Sequence, residues 1–533
     1  MLACLCMLAL GCTAPQPATQ TGKSDTPVYG GTFNVPQPQD PFDFDMSYTG
    51  SSNANPLFIK SAYTSLMRMK TGPDIKFSQG VVEPLLAERW EVSPDATTFT
   101  FYLKKGVKFA NIAPVSGREV TAADVKWSFE YMSRTGALKD AKIPASQFNW
   151  MFEGLQSVTT PDTYTVVVKF SDGFAPFVNY AASSDNLVMP KEIYEADGHF
   201  KDRVIGSGPF QLDPTTVQKG SSWTMKKNPT YFEEGKPYLE AIKVILVKDE
   251  ATEQAAFRSK QIDYIAASEY RAAEEVKGMV PDAQMLEIRS TPVRFDLNLK
   301  RPPLDNFKVR KAISLAMDRD ESNRVMEGGR SGWALAGTNV FDDLFSQEEI
   351  KTFVKYDIAE AKKLLTEAGH PNGVSIGQMV YSNADQWTIK GAELVQSQLK
   401  KAGINMELKP VDSNEHATLR RSKTFDILYL SEAQRADLDS SLHLMVHPQG
   451  SFNYASIDDP KITTLLAAQR KEINPEKRKE LLRELLKYAN ESATLIPVWR
   501  RITFMFMQPY VKGWYHQADY RTVGSMHSTY LAK

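Results

Sequence analysis

Cysteine is nearly missing from this chain. Of 533 residues only Cys4, Cys6 and Cys12 carry a thiol. Everything after position 12 therefore lacks the means for a disulfide or a thiolate metal site, and a buried apolar core must stabilise it unaided. An excess of charge is missing as well. Lys plus Arg total 63 against 64 for Asp plus Glu, a formal net charge of −1. Nucleic acid and anionic membranes both demand a basic face to neutralise phosphates, and this balance argues against either as a partner. No apolar run reaches the roughly 18 residues a membrane-spanning helix requires. A Gly-x-x-x-x-Gly-Lys-Ser/Thr phosphate loop is absent too, so the chain carries no nucleotide-hydrolysis motif of that kind.

What is present is ordinary for a globular protein: 42% hydrophobic and 24% charged residues. The length allows roughly three or four domain-sized units. Residues 1–11 hold a short apolar core followed by small residues, the pattern of a secretory signal peptide. Ala9-Leu10-Gly11-Cys12 resembles the bacterial lipobox, which implies that Cys12 is lipidated and becomes the mature N-terminus. No Lys or Arg precedes Lys23, so an in-frame start further upstream is expected to supply the missing positive charge. Residues 12–28 are rich in Pro, Thr, Ser and Gln and read as a flexible tether.

The folded body begins at Gly30-Gly31, a turn running into the alternating stretch Thr32-Phe33-Asn34-Val35. A hairpin is expected within 83–109 around Ser93-Pro94-Asp95. Thr121 and Asp124 have capping-box spacing ahead of Val125, Phe129 and Met132. Further helices are expected over 357–369, near 388–402 and from Asn474-Pro475, with Leu481, Leu482, Leu485 and Leu486 on a buried face. The strand Ile404–Leu408 follows the second of these, and strand–helix–strand order implies an α/β protein with a parallel or mixed sheet.

Several segments together carry a resemblance. They are Leu86-Ala87-Glu88-Arg89-Trp90, Lys104-Lys105-Gly106-Val107-Lys108-Phe109, Gly206-Ser207-Gly208-Pro209-Phe210 and Phe295-Asp296-Leu297-Asn298, with Val309–Arg319 and Ile496-Pro497-Val498-Trp499 after them. In this order they resemble family 5 extracellular solute-binding proteins, the oligopeptide-, dipeptide- and nickel-binding components of ABC importers. The resemblance implies a two-lobed periplasmic-binding-protein fold of type II, with a hinge and an extra inserted subdomain. Lobe I would comprise 29–56, 203–294 and 500–533, the insert 57–202, and lobe II 295–499. The chain would cross the hinge near Arg294 and Trp499. The implied function is non-enzymatic: a monomeric, lipid-anchored protein of the periplasm or the outer face of the cell membrane. It would capture peptides between its lobes and hand them to a permease driven by a separate ATPase, with no cofactor. Nickel, a metallophore or an oligosaccharide is the alternative ligand, and a non-transport surface lipoprotein the remote one.

Peptide-binding members pair an Asp with the ligand's α-ammonium, and the matching position here is Asp437, with Asp439 as the second Asp of the pattern. The usual Gly-Trp, Tyr and prolines around it are replaced. The same residues read locally as loop carboxylates capping a helix that begins near Ser440. Arg435 could neutralise Asp437 or meet an anionic ligand. Tyr429 and Trp499 could wall the cleft, or simply belong to the core. Two enzyme-like patterns do not fit their chemistry. Gly373-Val374-Ser375-Ile376-Gly377 matches a nucleophile elbow, but Ser375 falls where a strand begins rather than at a strand-to-helix turn. His443 and His447 have helical ligand spacing without an acidic partner beside them, and Pro448 follows at once.

Overall fold

The computed structural model describes residues 26–39, 44–45, 57–75, 80–140, 146, 148–337, 344–431, 437–516 and 525–533. The signal-peptide, Cys12 and Arg435 expectations, and most of the tether, lie outside these residues. Local chemistry sets most elements. The strand Thr32–Gln37 buries Phe33 and Val35 on one face. It runs parallel to Ala241–Leu246, which pairs antiparallel with Ser222–Lys227, and that strand with Phe210–Gln218. A second four-stranded sheet is built from Ala87–Val92, Thr98–Leu103, Thr165–Phe170 and Leu155–Asp162. The helix Ala122–Ser133 packs on it, its start fixed by the Thr121 amide donating to Asp124 Oδ2 at 2.9 Å. One continuous apolar cluster runs from Phe33 and Val244 to Phe101, Phe129 and Phe177. The 57–202 segment therefore shares its core with the first sheet.

A mixed six-stranded sheet organises the rest, in the order Tyr264–Ala267, Ile496–Met507, Gln284–Leu297, Ile427–Ser431, Val374–Ser382, Ile404–Val411. The last two are parallel and joined through the helix Gln386–Lys401. Gln284–Leu297 and Ile496–Met507, of 14 and 12 residues, are antiparallel and belong to two cores at once. At one end Ile502, Phe504 and Phe506 pack with Phe257, Ile265 and Val276. At the other, Val293, Phe295, Val498 and Trp499 pack with Met379, Ile404 and Ile427. Between the two ends the register slips, from Arg289 to Pro292 and again from Val293 to Arg294. Pro292 has no amide to donate to the ladder, so a break there follows from its chemistry. Arg294 and Trp499 stand beside this break.

The helix Pro475–Glu491, capped by Asn474, buries Leu482, Leu485 and Leu486 against Leu438 and Leu442, with Leu481 only partly buried. Ser375 is exposed inside a strand, opposite Asn405, and so is not an elbow nucleophile. The bulge after it needs Gly377: its φ is +82°, and a Cβ there would stand 2.3 Å from Asp426 Oδ2. Among the described residues no helix is long and apolar enough to cross a membrane.

Candidate functional site: a buried polar seam and a hinge

Two units meet along a polar seam. One is the 57–202 segment, on the core it shares with the first sheet; the other is the helical layer after residue 437. Asp437 is the N-cap of the helix Leu438–Val446, its Oδ1 accepting the Asp439 amide at 2.8 Å. Arg478, in the first turns of Pro475–Glu491, grips the same carboxylate with both Nη atoms, at 2.6 and 2.9 Å. From across the seam, Asn179 Nδ2 donates to Asp437 Oδ2. Asp439 is fully buried and held likewise: Arg470 Nε and Nη2 donate to it at 2.8 and 2.9 Å, and Gln469 Nε2 donates too. Tyr180 Oη, again from across the seam, donates to Asp439 Oδ2 at 2.8 Å.

The network extends outward through Glu153, whose Oε2 accepts from Arg470 Nη1 at 2.8 Å and lies 2.8 Å from His443 Nε2. The Ala175 amide donates to the Arg470 carbonyl at 2.7 Å, and Lys471 pairs with Asp172 at 2.9 Å. Burial alone would raise the Asp439 carboxyl, but the charge and hydrogen bonds of Arg470 hold it down at about 2. Glu153 is held at about 2 in the same way, burial being overcome by His443 and Arg470. Burial opposes charge on Arg470 and Arg478 too, yet the two aspartates keep their pKa raised.

The end beside the strand register break, where the hinge is expected, is built differently. Tyr429 and Trp499 are buried in the core of the six-stranded sheet, their ring centroids 5.7 Å apart, with Trp387 6.4 Å from each. Gly391 lets its helix close on this cluster, since a Cβ there would stand 2.0 Å from the Trp499 ring. Arg501 lies over Trp387 at 3.9 Å. Glu327 ends the helix Arg319–Glu327 and accepts the Trp499 Nε1–H and the Ile502 amide, each at 3.2 Å. Burial pushes its carboxyl up to about 8.

The structure thus brings Asp437 and Asp439 together in the seam and sets Tyr429 and Trp499 in the core at the hinge. His443 and His447 stack at 4.4 Å, and no metal-holding cluster occurs among the described residues. Sequence reasoning missed Arg470, Arg478, Asn179, Tyr180, Glu153 and Glu327. The two arginines sit in a charge-rich run, 470–480, that reads as a solvated face; Asn474-Pro475 within it signals only the helix start. A separate cavity of about 90 Å³ lies away from the seam, where Lys60, Tyr63 and Arg68 of the 57–202 segment meet Tyr231 and His527. Its Lys60 is already paired with buried Asp185.

Two cores sharing a pair of long strands fit a type II periplasmic-binding-protein fold. Solved structures agree: the periplasmic binding protein DppA from Helicobacter pylori, in complex with the peptide STSA, superposes with a TM-score of 0.75 at 21% identity, over 95% of this chain and 99% of that one. Among curated proteins, heme-binding protein A of Haemophilus influenzae is 26% identical over 469 residues, 83% of each chain. The glutathione-binding protein GsiB of Salmonella choleraesuis is 25% identical over 455 residues, 82% of this chain and 83% of that protein. The family model of bacterial extracellular solute-binding proteins, family 5 middle, matches residues 81–453. The chain belongs to this family: it is an extracytoplasmic solute-binding protein of ABC importers, a transport protein and not an enzyme.

Proposed function

We propose that this protein captures peptides in the cleft between two lobes and delivers them to the permease of an ABC importer, anchored to the membrane by lipid on Cys12. Lobe I takes 29–56, 203–294 and 500–533, with the insert at 57–202; lobe II takes 295–499. The carrying observation is the shared pair of strands with its register break between Arg289 and Arg294, a natural place for the lobes to turn. The bound peptide in the DppA neighbour supports the ligand class. A ligand bridging both lobes favours the closed form by its differential affinity for that form, and the closed form is what a permease reads. Tyr429 and Trp499 stiffen the lobe II wall of the cleft, and Arg435 precedes Asp437 by two residues in the sequence.

Native mass spectrometry of protein purified without refolding tests the ligand. Adducts that fragment into peptide ions are expected; a haem-sized or metal-only adduct would overturn the peptide reading. The anchor is tested separately. Cys12→Ser should move the protein from the membrane fraction to the soluble one, because buried acyl chains supply the membrane affinity. Unchanged membrane association would dismiss lipidation.

A further inference from the structure

The acidic pair at the seam arrives already neutralised. Asp437 and Asp439 each accept two N–H bonds from an arginine on their own side, Arg478 through both Nη atoms and Arg470 through Nε and Nη2. A planar guanidinium–carboxylate pair is preorganised and leaves little bare charge to desolvate when another surface covers it. What crosses the seam is then a set of single bonds from the 57–202 segment: Asn179 to Asp437, Tyr180 to Asp439, Glu153 to Arg470 and His443, and the Ala175 amide to the Arg470 carbonyl. Arg478 and Arg470 match Asp437 and Asp439 one for one, and Arg470 extends a further N–H to Glu153, so the acidic pair needs no added cation.

We propose that this seam is a built-in clasp: Arg470 and Arg478 act as internal counter-cations that let the insert lock onto lobe II without a ligand. The acidic pair is then a closure device, and a ligand ammonium is not needed there. The opening motion rests on the two-lobed reading above, whereas the clasp test requires no ligand and can fail independently of it.

The Ala175 amide is the reporter, in hydrogen exchange on protein shown by native mass spectrometry to be ligand-free. In the wild type this amide should be protected. In the triple variant Glu153→Ala, Asn179→Ala, Tyr180→Phe its exchange should speed up by on the order of tenfold or more, the scale of lost hydrogen bonds to charged groups. Amides of the strand Thr165–Phe170 should not change, which verifies that the unit stays folded. Tyr180→Phe alone, which keeps the buried ring, should give a smaller acceleration in the same direction. Free exchange of Ala175 in the ligand-free wild type, or an unchanged rate in the triple variant, would overturn the clasp.

Discussion

Asp439 in the seam and Glu327 at the hinge are carboxyl groups buried to a similar depth, with opposite charge states. Asp439 is held ionised at about 2, while Glu327 is pushed up to about 8. Burial disfavours the charge in both, so depth does not separate them. Partners do. Asp439 meets a guanidinium bidentately, whereas Glu327 receives two neutral N–H donors, and the charge of Arg501 offsets only part of the burial cost. The seam thus holds fixed charge and the hinge holds a proton. The ion pairs on the hinge side differ again: Arg330 with Glu274 and Glu287, and Lys390 with Glu269, are far more open to solvent than the Arg470–Asp439 and Arg478–Asp437 pairs.

The contrast is broken most strongly at Asp439. Asp439→Asn strands a buried guanidinium and should cost about 3–5 kcal/mol in urea unfolding. A loss below about 1 kcal/mol, the range of an exposed pair, would erase the distinction between seam and surface.

Glu327→Gln should act in the opposite direction. The folded carboxyl keeps its proton up to about pH 8, the unfolded one only to about 4.5. Between those values the folded state binds more protons, so wild-type stability falls as pH rises through the window. The variant should remove that slope and be more stable than wild type by about 2–4 kcal/mol at pH 8. Parallel pH curves would contradict a protonated hinge carboxyl.

Asp439 itself gives the mirror image. Its folded pKa lies below the unfolded value of 3.8, so its contribution is fully present above that value and lost as pH falls toward about 2. Acid titration of wild type should show a loss of about 2 kcal/mol in this window, and the Asp439→Asn variant should lack it. Arg330→Ala, at the open hinge-side pairs, should change stability by less than about 1 kcal/mol. A larger loss would mean that those pairs are not surface-like.

How much of this could be read beforehand follows from the range of each interaction. Thr121 with Asp124, Asn474 before Pro475 and the strand after Gly403 are local signals, and each element stands where its signal lies. The helix at Asp437 begins at Leu438, two residues ahead of the expected Ser440, because Asp437 itself is the cap. Asn179 and Asp437 are 258 residues apart, and no spacing rule reaches that far. Arg470 and Arg478 were hidden for another reason: charge-rich helix ends are normally solvated, and only tertiary packing turns these two inward. Glu327 is a plain helical glutamate until the strand Ile496–Met507 covers it. Family motifs located the acidic pair but carried no information on what neutralises it.

Titration calorimetry is the most direct test of the claim that the acidic pair serves closure rather than the ligand's amine. Each peptide recovered by native mass spectrometry would be titrated into the wild type in its free form and in its N-acetylated form. With Asp437 neutralised by Arg478, acetylation should leave the affinity within a few-fold. A weakening of about a hundredfold or more, the scale of a lost buried charge pair, would make Asp437 the anchor of the peptide ammonium and contradict the account.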